Sequence, residues 1–170
     1  MHVNYYHGIK KIYFNKIINE IIDIANLTEN NNIILDFGCG SKQLEKKLNK
    51  KILNYDVNPL HTDLKDYKTI DFNIVIFNHV LMYMDSEEIK KTLNNIKKKN
   101  KFCKVVVGIS RQSFINKIAS WASLNFSAHV GTKTNPKNQF KILQQHMDLI
   151  SKRSVFNMTD IYLFKFKWNT

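Results

Sequence analysis

The stretch Leu35-Asp36-Phe37-Gly38-Cys39-Gly40-Ser41 places an acid and two glycines at the end of a short apolar run. Gly38 and Gly40 let the backbone approach a ligand with no Cβ in the way. A helix starting just beyond them would present unpaired N–H groups at the same place. Asp56 lies 18 residues past Gly38, at the end of the next apolar run, and an acid there can accept both hydroxyls of a ribose. A lone G-x-G is a weak signal. The apolar run before it, the helix after it and Asp56 give it weight as a nucleotide-type site. Gln43 stands three positions past Gly40, where the dinucleotide-binding loop G-x-G-x-x-G needs its last glycine, which argues against a nicotinamide cofactor.

Strands alternating with helices must position these residues. Phe14, Ile17, Ile18, Ile21 and Ala25 recur at helical spacing, so residues 9–27 read as an amphipathic helix packed on a sheet, a plainer reading than one lying on a membrane. Ile33 to Asp36, Ile52 to Asp56, Phe72 to Phe77 and Phe102 to Ile109 read as buried strands. Helical spacing runs from Gln43 through Leu48, and again from Phe114 to Leu124. Asp85 and Glu88 form a capping box for a helix of about 86 to 98. Asn135 caps and Pro136 opens a helix to about Leu149. The end, from Arg153 to Lys167, reads as a hairpin turning about Asn157-Met158-Thr159-Asp160. The pattern predicts an α/β domain with a mostly parallel sheet and an antiparallel edge.

The chain has 170 residues, 44% hydrophobic and 24% charged, which suits one folded domain and excludes wholesale disorder. No apolar run approaches a membrane span, and the N-terminal residues lack a signal-peptide layout. Cys39 and Cys103 are too few for a disulfide framework, so a reduced, cytoplasmic protein is expected. The net charge is +12, yet Arg111 and Arg153 are the only arginines. Lys, Asn and Ile, whose codons are AT-rich, make up 66 of the 170 residues, so base composition alone can produce this charge. Arg supplies the bidentate contacts of most nucleic-acid surfaces, and its scarcity makes such a partner possible but not favoured.

The glycine stretch resembles motif I, D-x-G-x-G, of the class I S-adenosylmethionine-dependent methyltransferases. The likeness continues through Asn54-Tyr55-Asp56-Val57-Asn58-Pro59, similar to the family's second acidic motif, and through Asp71 to Leu81, similar to its fourth strand and the segment after it. The resemblance implies a three-layer, Rossmann-like, seven-stranded and mostly parallel sheet with an antiparallel terminal hairpin. It implies one domain over residues 1–170, with an N-terminal helix in 1–30, a cofactor-binding half in 31–110 and a substrate-side half in 111–170. It implies S-adenosylmethionine as cofactor. Gly38 and Gly40 would flank its methionine part and Asp36 would anchor the turn near its amino group. Asp56 would hold the ribose, Asp63 or Leu64 would meet the adenine, Asn78 and His79 would lie by the methionine moiety, and Val57 would be a further cofactor-binding residue. Lys42 departs from the pattern, standing where many members have a third glycine. Only six residues separate Asp56 from Asp63, so the helix usual between those strands is missing.

Methyl transfer from a sulfonium is an in-line displacement, and a base is needed only where the nucleophile carries a proton. His79 and His129 are the catalytic candidates, with Tyr5, Tyr6 and His7 near the same face by the family's layout. Trp121 and Phe126, with His129, would give the acceptor side an apolar wall and one titratable group. Cys39 needs no nucleophilic role. The six histidines show no metal-ligand pairing, so no metal is expected. The run Lys97-Lys98-Lys99-Asn100-Lys101 reads as a solvated loop at the opposite edge of the sheet. The expected function is methyl transfer to a small-molecule, lipid or sugar acceptor. The alternatives are an RNA or protein methyltransferase, or a non-catalytic cofactor-binding partner subunit.

Overall fold

The computed structural model describes residues 9–111 and 131–168. Helix α1 (Ile9–Ala25) leads into strand β1 (Ile34–Phe37), helix α2 (Gln43–Leu48) and strand β2 (Leu53–Tyr55). Strand β3 (Ile74–Asn78), helix α3 (Ser86–Lys99) and strand β4 (Lys104–Ser110) follow. Helix α4 (Pro136–His146) and strands β5 (Met147–Val155) and β6 (Thr159–Phe166) end the described chain. The six strands form one sheet in the order β2-β1-β3-β4-β6-β5. The first four are parallel, and β6 runs antiparallel between β4 and β5.

The apolar runs that mark the strands are buried on both faces. Ile74 and Ile76 of β3, with Val106 of β4, meet Ile17, Ile21 and Leu27 on one side. Val75, Phe77, Val105 and Val107 meet Ile89, Leu93, Ile96 and Leu143 on the other. Three layers result, because a parallel sheet must cover both faces.

Local signals set most helix ends. Asp85 and Glu88 form the expected capping box on α3, and Asn135 accepts a hydrogen bond from the Asn138 amide at the start of α4. α1 closes where Asn26 turns left-handed at φ 51. The amide of Leu27 then donates to the Ile22 carbonyl at 3.0 Å, and that of Asn26 to Asp23 at 3.4 Å. This is the double bond of a Schellman cap.

Two expectations are corrected. The seventh strand does not form among the described residues. Between β2 and β3 the chain adds no strand to the edge of β2, where the Asp63 amide and the Thr62 hydroxyl both donate to the Asn54 carbonyl. The helix expected to reach Leu149 ends at His146, and β5 begins at Met147 rather than near Arg153. Pairing of Met147 with Phe166 and burial of the Met147 side chain override the helical spacing of Leu149 and Ile150, which lie exposed on the outer strand. The expected helix over 114–124 lies outside the described residues. No helix among the described residues is long and apolar enough to cross a membrane.

Phe77 is fully buried at the centre of the sheet. Phe77→Ala should therefore lower unfolding stability by about 3–5 kcal/mol, read by urea denaturation, and a loss below about 1 kcal/mol would place Phe77 outside the core.

Candidate functional site

Strand order brings the ends of β1, β2 and β3 side by side, and the loops leaving them bound a cavity of about 550 Å³. After Phe37 the chain turns sharply, and the amides of Gly38 and Cys39 both donate to the Tyr55 carbonyl, at 2.7 and 3.2 Å. Gly38 has φ +79, and a Cβ there would come within 2.5 Å of a Val80 methyl. Gly40 has φ +47 and nothing within 4 Å of where a Cβ would be, so its bare backbone borders open cavity. The Gly40 amide donates to Asp56 Oδ2 and the Asn58 amide to Asp56 Oδ1, both at 2.9 Å. One carboxylate thus ties the loop after β1 to the loop after β2.

Lys42, where the resemblance implies a glycine, adopts φ 57 and opens α2 without a side-chain cap. Its ammonium reaches Asp63 Oδ1 at 2.5 Å. Asp63 also accepts from Asn54 at 2.9 Å and Lys51 at 3.3 Å. These partners, Lys42 foremost, hold its carboxyl down at about 2.

Asp36 lines the cavity at 5% exposure, and no hydrogen-bond donor among the described residues reaches its carboxyl. Desolvation, then the neighbouring charges of Asp56 and Glu45, push its pKa up to about 7.

His79 closes the inner wall at φ 59, its amide donating to the Gly108 carbonyl at 3.1 Å. Its Nδ1 is hydrogen-bonded to Ser110 Oγ at 2.8 Å and its Nε2 to Thr159 Oγ1 at 3.3 Å. Thr159 Oγ1 is in turn 2.5 Å from the Tyr13 hydroxyl. Burial pulls the imidazole pKa down to about 4, so the ring is neutral near pH 7, with one nitrogen donating and the other accepting. Asn78 points its Oδ1 at Gly108, where a Cβ would come within 2.8 Å of it, and among the described residues that oxygen has no partner.

Of the residues singled out in the sequence, Asp36, Gly38, Gly40, Asp56, Val57, Asn78 and His79 line this one cavity. Asp63 and Leu64 do not. Asp63 is occupied by its two lysines, and Leu64 packs against the core beside β2. His129 lies outside the described residues, as do Tyr5, Tyr6, His7, Trp121 and Phe126. The sequence reading did not place Tyr13, Phe14, Ile18 and Ile21 on the cavity wall, nor Ser110. The α1 residues gave no separate signal, because the stripe that packs on the sheet continues past its edge. Ser110 could have been found as the last residue of a strand whose neighbours end at the site.

No family model matches the chain, and no curated protein matches it in sequence. Solved structures do match. The PH0226 protein from Pyrococcus horikoshii OT3 aligns with a TM-score of 0.66 at 11% identity, covering 91% of each chain. Magnesium protoporphyrin IX methyltransferase from Synechocystis PCC 6803, with bound SAH, aligns with a TM-score of 0.65 at 12% identity, covering 96% of this chain and 91% of that one. The N-methyltransferase NodS from Bradyrhizobium japonicum WM9 aligns at 0.64 and 15% identity, covering 91% of this chain and 96% of that one. The chain has the fold of the class I S-adenosylmethionine-dependent methyltransferases.

Two outcomes test this geometry. Gly38→Ala should destabilise by about 2–4 kcal/mol, from left-handed strain plus overpacking, and adding Val80→Ala should recover only the packing part. Asp36 binds its proton more tightly folded than unfolded. Its contribution is therefore fully present below about pH 4 and is lost as pH rises to about 7. Asp36→Asn should raise the melting temperature at alkaline pH and leave it nearly unchanged at pH about 4, and a uniform shift would refute the assignment.

Proposed function

We propose that the chain is an S-adenosylmethionine-dependent methyltransferase acting on a small-molecule acceptor. The observation that carries this reading is the cavity in which Gly40 presents bare backbone beside two carboxylates, Asp36 and Asp56, that face the same space. The residues fit such a cofactor. Asp56 spends one lone pair of each oxygen on the Gly40 and Asn58 amides, and its remaining lone pairs can accept two ribose hydroxyls. Asp36, buried with no donor among the described residues, suits an ammonium group. When bound, the cofactor supplies an electrophilic methyl group on a sulfonium.

The chain's own residues then position and exclude water. Tyr13, Phe14, Ile18 and Ile21 of α1, with Met82 and Tyr83, give the cavity an apolar and aromatic wall. Such a wall suits a small, partly apolar acceptor, and solved relatives in fold include a magnesium protoporphyrin IX methyltransferase. His79, neutral and held by hydroxyls on both nitrogens, is a poor base near pH 7. Its role in this reading is to hold Ser110 Oγ at the cavity wall. A base for a hydroxyl acceptor then falls to His129, and His129→Asn should lower the single-turnover rate by about 10²–10⁴ with cofactor affinity intact.

Isothermal titration with S-adenosylhomocysteine tests the cofactor reading directly, and no binding at millimolar concentration would end it. Asp56→Ala should cost about 2–4 kcal/mol of affinity. Because Asp36 must ionise to pair with an ammonium, binding should release a proton below about pH 7 and weaken by up to tenfold for each unit of further acidification. Asp36→Asn should bind weakly at every pH and lose that dependence.

A further inference from the structure

We propose that the end of the sheet opposite the cavity binds single-stranded nucleic acid, with Phe102 and Trp168 as a stacking platform and the surrounding lysines as phosphate contacts. Phe102 precedes β4 and Trp168 follows β6, and the antiparallel pairing of Lys104 with Lys165 puts both rings at the same end, away from Ser110 and the cavity. Both rings are large and exposed, 65% for Phe102 and 69% for Trp168. They meet edge to face with centroids 5.3 Å apart, and the Lys101 ammonium lies 5.2 and 5.3 Å from the two centroids. Exposed aromatic rings within a cationic field are what unpaired bases on a phosphate backbone require.

The charge around the rings is concentrated and poorly neutralised. Lys97, Lys98 and Lys99 form the last turn of α3. Lys104 and Lys165 sit directly opposite one another, both exposed, an arrangement of like charges that costs stability. Lys90, Lys97 and Lys167 are close enough to add to burial in lowering the pKa of His146. Carboxylates take up some of this charge: Asp71 pairs with Lys99, Glu87 with Lys90, and Asp148 stands beside Lys165 in the ladder. Among the described residues, Lys98, Lys101, Lys104 and Lys165 form no ion pair. Base-composition bias explains lysines but not Trp168, whose codon is not AT-rich. A lipid surface fits less well. The apolar face of α3, through Ile89, Leu93 and Ile96, is spent in the core, so no amphipathic helix is free to enter a bilayer at this end.

The test is fluorescence anisotropy of a labelled oligouridylate of about twenty nucleotides with the full chain, across a range of salt. Joint Phe102→Ala and Trp168→Ala should weaken binding by about tenfold or more at constant salt. Joint Lys98→Gln and Lys101→Gln should weaken it and flatten its salt dependence. Joint Lys46→Gln, Lys47→Gln and Lys65→Gln, exposed lysines elsewhere, should have little effect. The proposal fails if the wild type does not bind, if the aromatic pair makes no difference, or if the distant lysines matter as much. It fails equally if vesicles of phosphatidylserine and phosphatidylcholine capture the chain and oligouridylate does not. Should the aromatic variant not fold, Trp121→Phe leaves Trp168 as the single tryptophan, and oligouridylate must quench its emission.

Discussion

Asp56 accepts the Gly40 amide on one carboxylate oxygen and the Asn58 amide on the other. The first bond fixes the loop leaving β1 to the loop leaving β2, and the second, inside the latter loop, holds the carboxylate in place. The Tyr55 carbonyl adds a second tie by accepting the amides of Gly38 and Cys39. The glycine turn that borders the cavity is placed by this junction. Charge-assisted bonds to a carboxylate are stronger than neutral ones, so the junction is fixed before any ligand arrives. A site fixed in this way loses less ordering entropy on binding.

The cost of the arrangement is collected around the same cavity. Lys42 and His79 both hold left-handed backbone, which residues with a Cβ adopt only against a penalty of about 1 kcal/mol. Asp36 is buried close to two other carboxylates. The Asn78 Oδ1 is buried without a partner among the described residues. Unfavourable elements persist where the surrounding structure over-determines them, and here two covered sheet faces do so. The ion pair of Lys42 with Asp63, and the bonds of Asp63 to Asn54 and Lys51, steady the α2 entry that a glycine would make without strain.

The two ends of the sheet have opposite character. The ends of β1, β2 and β3 gather carboxylates and bare backbone around a cavity. The start of β4 and the end of β6 gather lysines and exposed rings on an open surface. Parallel strands point all their carboxyl ends one way, so chemistry built at those ends leaves the far end free for unrelated contacts.

Patterns local in sequence are enough for the four parallel strands, the α3 cap, the glycine turn and Asp56. Each depends on neighbours a few residues away or on burial of both faces, and Ile74 to Phe77 shows both at once. Asp63 and Leu64 lie off the cavity lining, and nothing local indicates that two lysines would claim the Asp63 carboxylate. The start of β5 at Met147 was hidden as well, since Leu149 and Ile150 keep helical spacing up to the pairing with β6 that overrides it. Only the tertiary structure decided that Tyr13, Thr159, His79 and Ser110 form one hydrogen-bonded chain, whose first link joins residues 146 positions apart. That chain exists because β6 inserts beside β4 and α1 packs across their face. Strand order and register are properties of the whole sheet, and no single segment of the sequence encodes them.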